Sequence, residues 1–146
     1  MEKKETLSTS ITTKKQEKSE DSSAQPVIRE SENSIIIQIP LDKPANTLHP
    51  SSRRFYEIIG ECGALHAKKQ KDYGVDNDPF ANVNSSKEFG VPPWIGALIR
   101  ANDKVTRLKT FAQKGELSNE PVEDSLKDLA NYCIIALVLF EKEQRG

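Results

Sequence analysis

Six side chains in this sequence carry groups suited to phosphate and metal chemistry: Lys69, Asp72, Asp103, Asp124, Asp128 and Asn131. Asp124, Asp128 and Asn131 stand four and three residues apart, which sets three oxygen donors on one face of a helix. Hard oxygen ligands of this kind suit Mg²⁺ or Mn²⁺. The same helix continues as Tyr132-Cys133-Ile134-Ile135-Ala136-Leu137-Val138-Leu139-Phe140, apolar all round, the pattern of a helix covered on every side. The acids are therefore expected to face a cleft, where a carboxylate needs a cation to offset its desolvation. The competing reading is a wet charged face opposite the stripe Leu126, Leu129, Ala130, Cys133, Leu137 and Phe140.

Asp103 precedes Arg107 by four residues, the spacing of a surface ion pair worth about 0.3–0.5 kcal/mol. Alternatively Asp103 completes a metal site while Arg100, Lys104 or Arg107 meets a phosphate, arginine giving the better bidentate fit. His66, Lys69 and Asp72 continue the apolar side of an earlier helix into its last turns. Asp76-Asn77-Asp78-Pro79-Phe80-Ala81 begins like a calcium loop but has no oxygen ligand at the fifth place and no glycine at the sixth. The sequence has no Gly-x-x-x-x-Gly-Lys loop, dinucleotide fingerprint or Gly-x-Ser-x-Gly elbow. With only His49 and His66, zinc sites and histidine-based nucleophiles have little to work with.

Three long helices must position these groups. The first is expected over 53–72, capped by Ser51 or Ser52, with Phe55, Ile58, Ile59, Cys62 and Leu65 on its apolar side and Tyr73-Gly74 at its end. Residues 74–93, rich in Gly, Pro, Asn, Asp and Ser, form an ordered loop anchored by Phe80, Val83 and Phe89, with a helical turn at 86–89. The second helix covers 94–113 and buries Trp94, Ala97, Leu98, Ala101, Val105, Leu108 and Ala112. The third, introduced by Asn119-Glu120-Pro121, runs over 122–143.

Ahead of the helices, Ser34 to Leu41 reads as a strand or extended arm with no partner in the chain, which lies across the helices or pairs with its copy in another subunit. Residues 1–33, with six Lys or Arg against seven Asp or Glu and few apolar groups, read as a disordered tail. The expected organisation is thus a tail over 1–33, an arm and linker over 34–52, and an all-α domain over 53–146, a small bundle of three main helices with a short fourth from the loop.

The 146 residues, 36% hydrophobic and 29% charged, support one modest domain. From Ser51 to Gly146 the chain carries 14 basic and 14 acidic residues, so nucleic-acid binding through the phosphate backbone is not indicated. The opening Met-Glu-Lys-Lys-Glu lacks the apolar core of a secretion signal. The apolar run over 132–140 falls well short of the roughly 20 residues that span a bilayer. Cys62 and Cys133 each fall on an apolar side and read as reduced core residues, which fits a soluble, cytoplasmic protein. A wide apolar third helix also suggests a homodimer or higher oligomer.

Four blocks occur in order: Lys69-Gln70-Lys71-Asp72-Tyr73-Gly74, Asp78-Pro79-Phe80-Ala81-Asn82-Val83, Asp103-Lys104-Val105-Thr106-Arg107-Leu108, and Glu123 through Tyr132. Over roughly His49 to Glu143 they resemble the small phage and prophage proteins of the family called nucleotide modification associated domain 1. That family in turn is remotely similar to the all-α nucleoside triphosphate pyrophosphohydrolases of the MazG and dimeric dUTPase type, which hold Mg²⁺ with Glu-x-x-Glu and Glu-x-x-Asp on successive helices. This sequence departs from that pattern: Arg107 follows Asp103 where a second acid stands, and Asp124 and Asp128 are one residue further apart.

The resemblance implies a nucleotide bound through Mg²⁺, with cleavage between its α and β phosphates. Asp103, Asp124 and Asp128 would hold the metal, and Asn131 would orient it or its water. Lys69 and Arg107 would neutralise phosphate charge, Asp72 would position Lys69 or the attacking water, and Tyr73 would contact the nucleotide. Two other readings stay open: a non-catalytic module that binds a nucleotide or a protein partner, and a buried ion network of Lys69, Asp72, Asp103 and Arg107 that fixes helix register.

Overall fold

The computed structural model describes residues 25–75 and 77–146, the side chain of Tyr73 excepted. The expectation of a disordered tail over 1–24 lies outside the described residues. The chain divides into two units, one ending at Thr47 and the other running from Leu48 to Gly146.

In the first unit, β1 (Val27–Ser31) pairs antiparallel with β2 (Ser34–Gln38), Val27 opposite Gln38 and Ser31 opposite Ser34. The strand expected to lack a partner finds it in the segment just before it, part of the stretch expected to be disordered. Glu32 and Asn33 make the turn, and the Ser31 hydroxyl donates across it to the Ser34 carbonyl at 3.3 Å. A hairpin satisfies its backbone through the ladder and needs no burial to register; here every strand residue is exposed. A 3-10 turn at Ala45–Thr47 follows, closed by Thr47 Oγ1 on the Pro44 carbonyl at 2.7 Å.

The second unit is all-α: α1 (Pro50–Tyr73), a short α2 (Ala81–Asn84) continued by a 3-10 turn (Ser85–Phe89), α3 (Pro93–Lys114) and α4 (Val122–Arg145). Among the described residues no helix is long and apolar enough to cross a membrane. The start of α1 differs from expectation. Pro50 occupies the first turn, where its missing N–H costs nothing, and His49 Nδ1 caps the helix by accepting from the Ser51 N–H at 3.2 Å. Gly115, at φ 78°, ends α3 in the left-handed region that favours glycine.

The core lies between α2, α3 and α4. Val83, Ala97, Ala136 and Leu139 form its buried centre, with Phe80, Trp94, Tyr132 and Ile135 packed against it and Trp94 edge-on to Phe140 at 5.5 Å. Buried alanines on both long helices, Ala97 and Ala101 on α3 and Ala136 on α4, let their axes come close. Gly96 serves the same end toward the loop: a Cβ there would lie 2.7 Å from Ser86 Oγ and 2.9 Å from the Val83 carbonyl oxygen.

On α4 the stripe of the competing reading is not the covered side, and of the acids expected to face inward Asp128 does and Asp124 does not. Ser125, Asp128, Ala136 and Leu139 are inside, while Leu126, Ala130, Cys133, Ile134 and Leu137 are exposed. Cys133, expected in the core, is on the surface; Cys62 is buried. Leu98 and Ala112 of α3 and Phe55, Ile58 and Ile59 of α1 are likewise exposed. The reason is the small number of elements, since α1 and α3 contact only part of the circumference of α4.

Two glycine substitutions should move stability in opposite directions. Gly96→Ala forces Ser86 and the Val83 backbone apart and should cost about 1–2 kcal/mol net of its helix-propensity gain. Gly63→Ala, in mid-helix with nothing within 4 Å of the added Cβ, should stabilise by about 0.5–1 kcal/mol. Chemical denaturation of the two variants reads both values.

Candidate functional site

Asp128 is the one acid among the described residues that is buried, at 3% exposure. It lies on α4, and a lysine from each of the other long helices reaches it. Lys69 Nζ of α1 donates to Oδ1 at 2.5 Å, and Lys104 Nζ of α3 stands 2.9 Å from Oδ2. Burial by itself would push this carboxyl up, but the two ammonium groups outweigh it and hold Asp128 below the usual carboxylate range.

The charges continue outward. Glu120, in the connection before α4, lies 4.0 Å from Lys104 and 2.8 Å from Arg107 Nη1. Its Oε2 is buried and, although paired by charge, makes no aligned hydrogen bond; Ser125 Oγ, fully buried, also has no hydrogen-bond partner. Lys69, Asp128, Lys104, Glu120 and Arg107 thus form a chain of alternating sign across all three long helices.

Beside this chain is a pocket of about 40 Å³ lined by His66, Lys69, Gln70, Phe80, Asp128, Asn131 and Tyr132, with Pro79, Asn82 and Ile135 completing its wall. Asn131 Nδ2 donates to the Cys62 carbonyl at 3.0 Å, fastening α4 to α1 at the pocket edge. The opposite wall comes from the loop, and Asp78 organises it. Its carboxylate accepts from the Phe80 N–H at 3.1 Å and from Asn84 Nδ2 at 2.7 and 2.8 Å, while its backbone pairs with Val75. Phe80 is thereby held against His66, ring centres 5.9 Å apart.

Of the residues expected in the site, Lys69, Asp128 and Asn131 come together at the pocket, and Arg107 joins them through Glu120. The others do not converge. Asp72 is exposed near the end of α1. Asp103 is exposed and lies 3.7 Å from Arg100, so the expected pairing with Arg107 is replaced by Arg100–Asp103 and Arg107–Glu120. Asp124 is exposed in the first turn of α4, where its charge complements the helix dipole. The side chain of Tyr73 is outside the described residues.

This donor set does not fit a resident Mg²⁺: the single buried acid has both oxygens on ammonium groups, and the other two acids stand in solvent. Among the described residues no three His, Cys, Asp or Glu side chains are gathered to hold a metal. The ion network exists, but with Lys104, Glu120 and Asp128 in place of Asp72 and Asp103. Lys104 had a legible signal, standing three residues after Ala101 and four before Leu108 on the inward side of α3. Glu120, in a turn, had none.

Asp128→Asn removes the charge between two lysines and should destabilise the domain by about 3 kcal/mol, at the low end for a broken buried pair because Lys69 can turn to water. The corresponding fall in melting temperature is about 12–24 °C. A carboxyl held low contributes stability above its unfolded value near ~3.9 and loses it as pH falls through the lower folded value. The wild-type protein should therefore lose more stability than the Asn variant as the pH is taken below about 4.

No curated protein and no solved structure is detectably similar to the chain. The likeness to all-α pyrophosphohydrolases accordingly has no match behind it. The family match covers 69–140, from the lysine on Asp128 through the loop, α3 and most of α4, and so contains every side chain of the ion chain and all of the pocket lining except His66. Over this segment the chain matches the model of the family nucleotide modification associated domain 1.

Proposed function

We propose that the helical domain binds a nucleotide at the Lys69–Asp128 pocket without hydrolysing it. The observation that carries this reading is the surplus cation beside the pocket: among the described residues Lys69, Lys104 and Arg107 pair only with Asp128 and Glu120. Lys69, with 38% of its side chain exposed, both pairs with Asp128 and lines the pocket, so an entering phosphate meets an ammonium already in place. Asp128 keeps Lys69 extended and is itself kept ionised by Lys104 from behind. Burying such a triad is not the cheapest way to join three helices, since apolar residues of similar volume do so equally well or better. A ligand that uses the spare charge gives the triad a purpose.

The aromatic wall of His66, Phe80 and Tyr132 offers flat surface to a base, and the amides of Gln70, Asn82 and Asn131 offer donors and acceptors to its edge. At about 40 Å³ the cavity takes one group of a nucleotide rather than the whole, which for drug-sized ligands needs about 300–1,000 Å³. The remainder would lie across the mouth toward Arg107. Mg²⁺ would arrive on the nucleotide, since the described residues gather no cluster of acids for it. The separation of Asp103, Asp124 and Asp128 is what favours binding over hydrolysis.

Calorimetric titration with ribo- and deoxyribonucleoside mono- and triphosphates, with and without Mg²⁺, tests the reading, with pyrophosphate release followed alongside. At least one nucleotide should bind with an affinity that falls as salt rises. Lys69→Ala should weaken it about tenfold or more and Lys69→Arg much less. Failure of every nucleotide to bind would remove the proposal, and Mg²⁺-dependent pyrophosphate release would replace it with the hydrolytic reading.

A further inference from the structure

The outer face of α4 has no partner within the described residues. Leu126, Ala130, Cys133, Ile134, Leu137 and Val138 fall at helical spacing on one side and are exposed, Ile134 at 57% and Leu137 at 58%. They lie opposite the side that carries Ser125, Asp128, Ala136 and Leu139 inward. A contiguous apolar stripe over three turns, on a domain whose buried hydrophobic residues are few and mostly small, marks an interaction surface.

The charges at its two ends say what covers it. The first turn of α4 is acidic, with Glu123 and Asp124, and the last turn carries Lys142 and Arg145. Glu123 and Lys127 toward one end and Glu141 and Arg145 toward the other fall on the line of Ile134. Set antiparallel to a copy of itself about a two-fold axis at Ile134, the helix places Ile134 on Ile134 and Ala130 on Val138. The same register sets Lys127 against Glu141 and Glu123 against Arg145. A parallel arrangement would set each charge beside its own like. Within the protomer Lys127 meets Glu61 at 2.6 Å and Arg145 meets Glu141 at 3.0 Å, so a copy would join its charges to pairs already formed.

We infer that the occupant is a second copy of this chain, packed through α4 antiparallel to α4 about Ile134. The pocket lies on the other side of the helix, so the dimer leaves it open.

Sedimentation of the full chain at micromolar concentrations should give twice the monomer mass. Ile134→Glu should weaken association more than ~100-fold and leave the melting curve of the protomer in place, because the side chain is exposed there. Glu123→Arg and Arg145→Glu should each weaken the dimer, and the two together should restore it. Cys133 lies next to the two-fold axis, so a short bismaleimide should join two copies through it, and Cys133→Ser should abolish the product. A wild-type monomer at every concentration overturns the inference, whether Cys133 is open to thiol reagents or shielded by the chain's own N-terminal segment. So does a dimer that survives Ile134→Glu or that Cys133 does not cross-link.

Discussion

The helical domain depends on one buried carboxylate. Asp128 takes a lysine from α1 on one oxygen and a lysine from α3 on the other, so the three long helices meet at a single charge. A buried charge tolerates no vacancy among its partners, and that makes the arrangement directional in a way apolar packing is not. This matters most for α1. Cys62 is the one buried apolar residue among the described side chains of α1, and the helix is joined to α4 by Asn131 on the Cys62 carbonyl, by Glu61 on Lys127 and by Lys69 on Asp128. Glu61, held down to about 2 by Arg54 and Lys127, belongs to the same polar seam.

The seam and the pocket are two sides of one construction. The loop that closes the pocket is fixed by Asp78 on Asn84 and by Val83 in the core, and it brings Phe80 to His66. Gly96 permits this by letting α3 run against Ser86 without a side chain between them. Nucleotide recognition in the proposed form therefore uses no separate machinery. In that proposal the lysine that joins α1 to α4 is also the lysine that would meet the ligand.

The outer face of α4 obeys a different constraint. Three long helices cannot surround one of their number, and a helix apolar on every side must leave some of that surface to another chain. The acidic start and basic end of α4 then select a partner running the opposite way. One helix thus makes two contacts within the chain, α3 for stability and α1 through the charge seam, and in the inferred dimer a third with a second copy through the stripe.

How much of this could be read beforehand depends on the range of the interaction concerned. Helical spacing, Pro121 at a helix start and Gly115 at a helix end act within a few residues, so the three long helices, the loop between them and its helical turn were legible in the sequence, whereas Pro50, read as linker, was not recognised as the start of α1. Lys69, Asp128 and Asn131 were legible as a group because their types and spacing mark them on inward faces. The rotation of α4 was not legible, because a helix apolar all round has no periodicity to say which side is covered, and the contacts that decide it come from α1 and α3 far away in the chain. The pairing of Arg107 with Glu120 rather than Asp103, and the separation of the three acids expected to share a metal, were likewise decided in space. The sequence alone determined the helices and the stock of charges; only the tertiary structure decided which charge met which, since Coulomb attraction and desolvation depend on distances that chain spacing does not set across different helices.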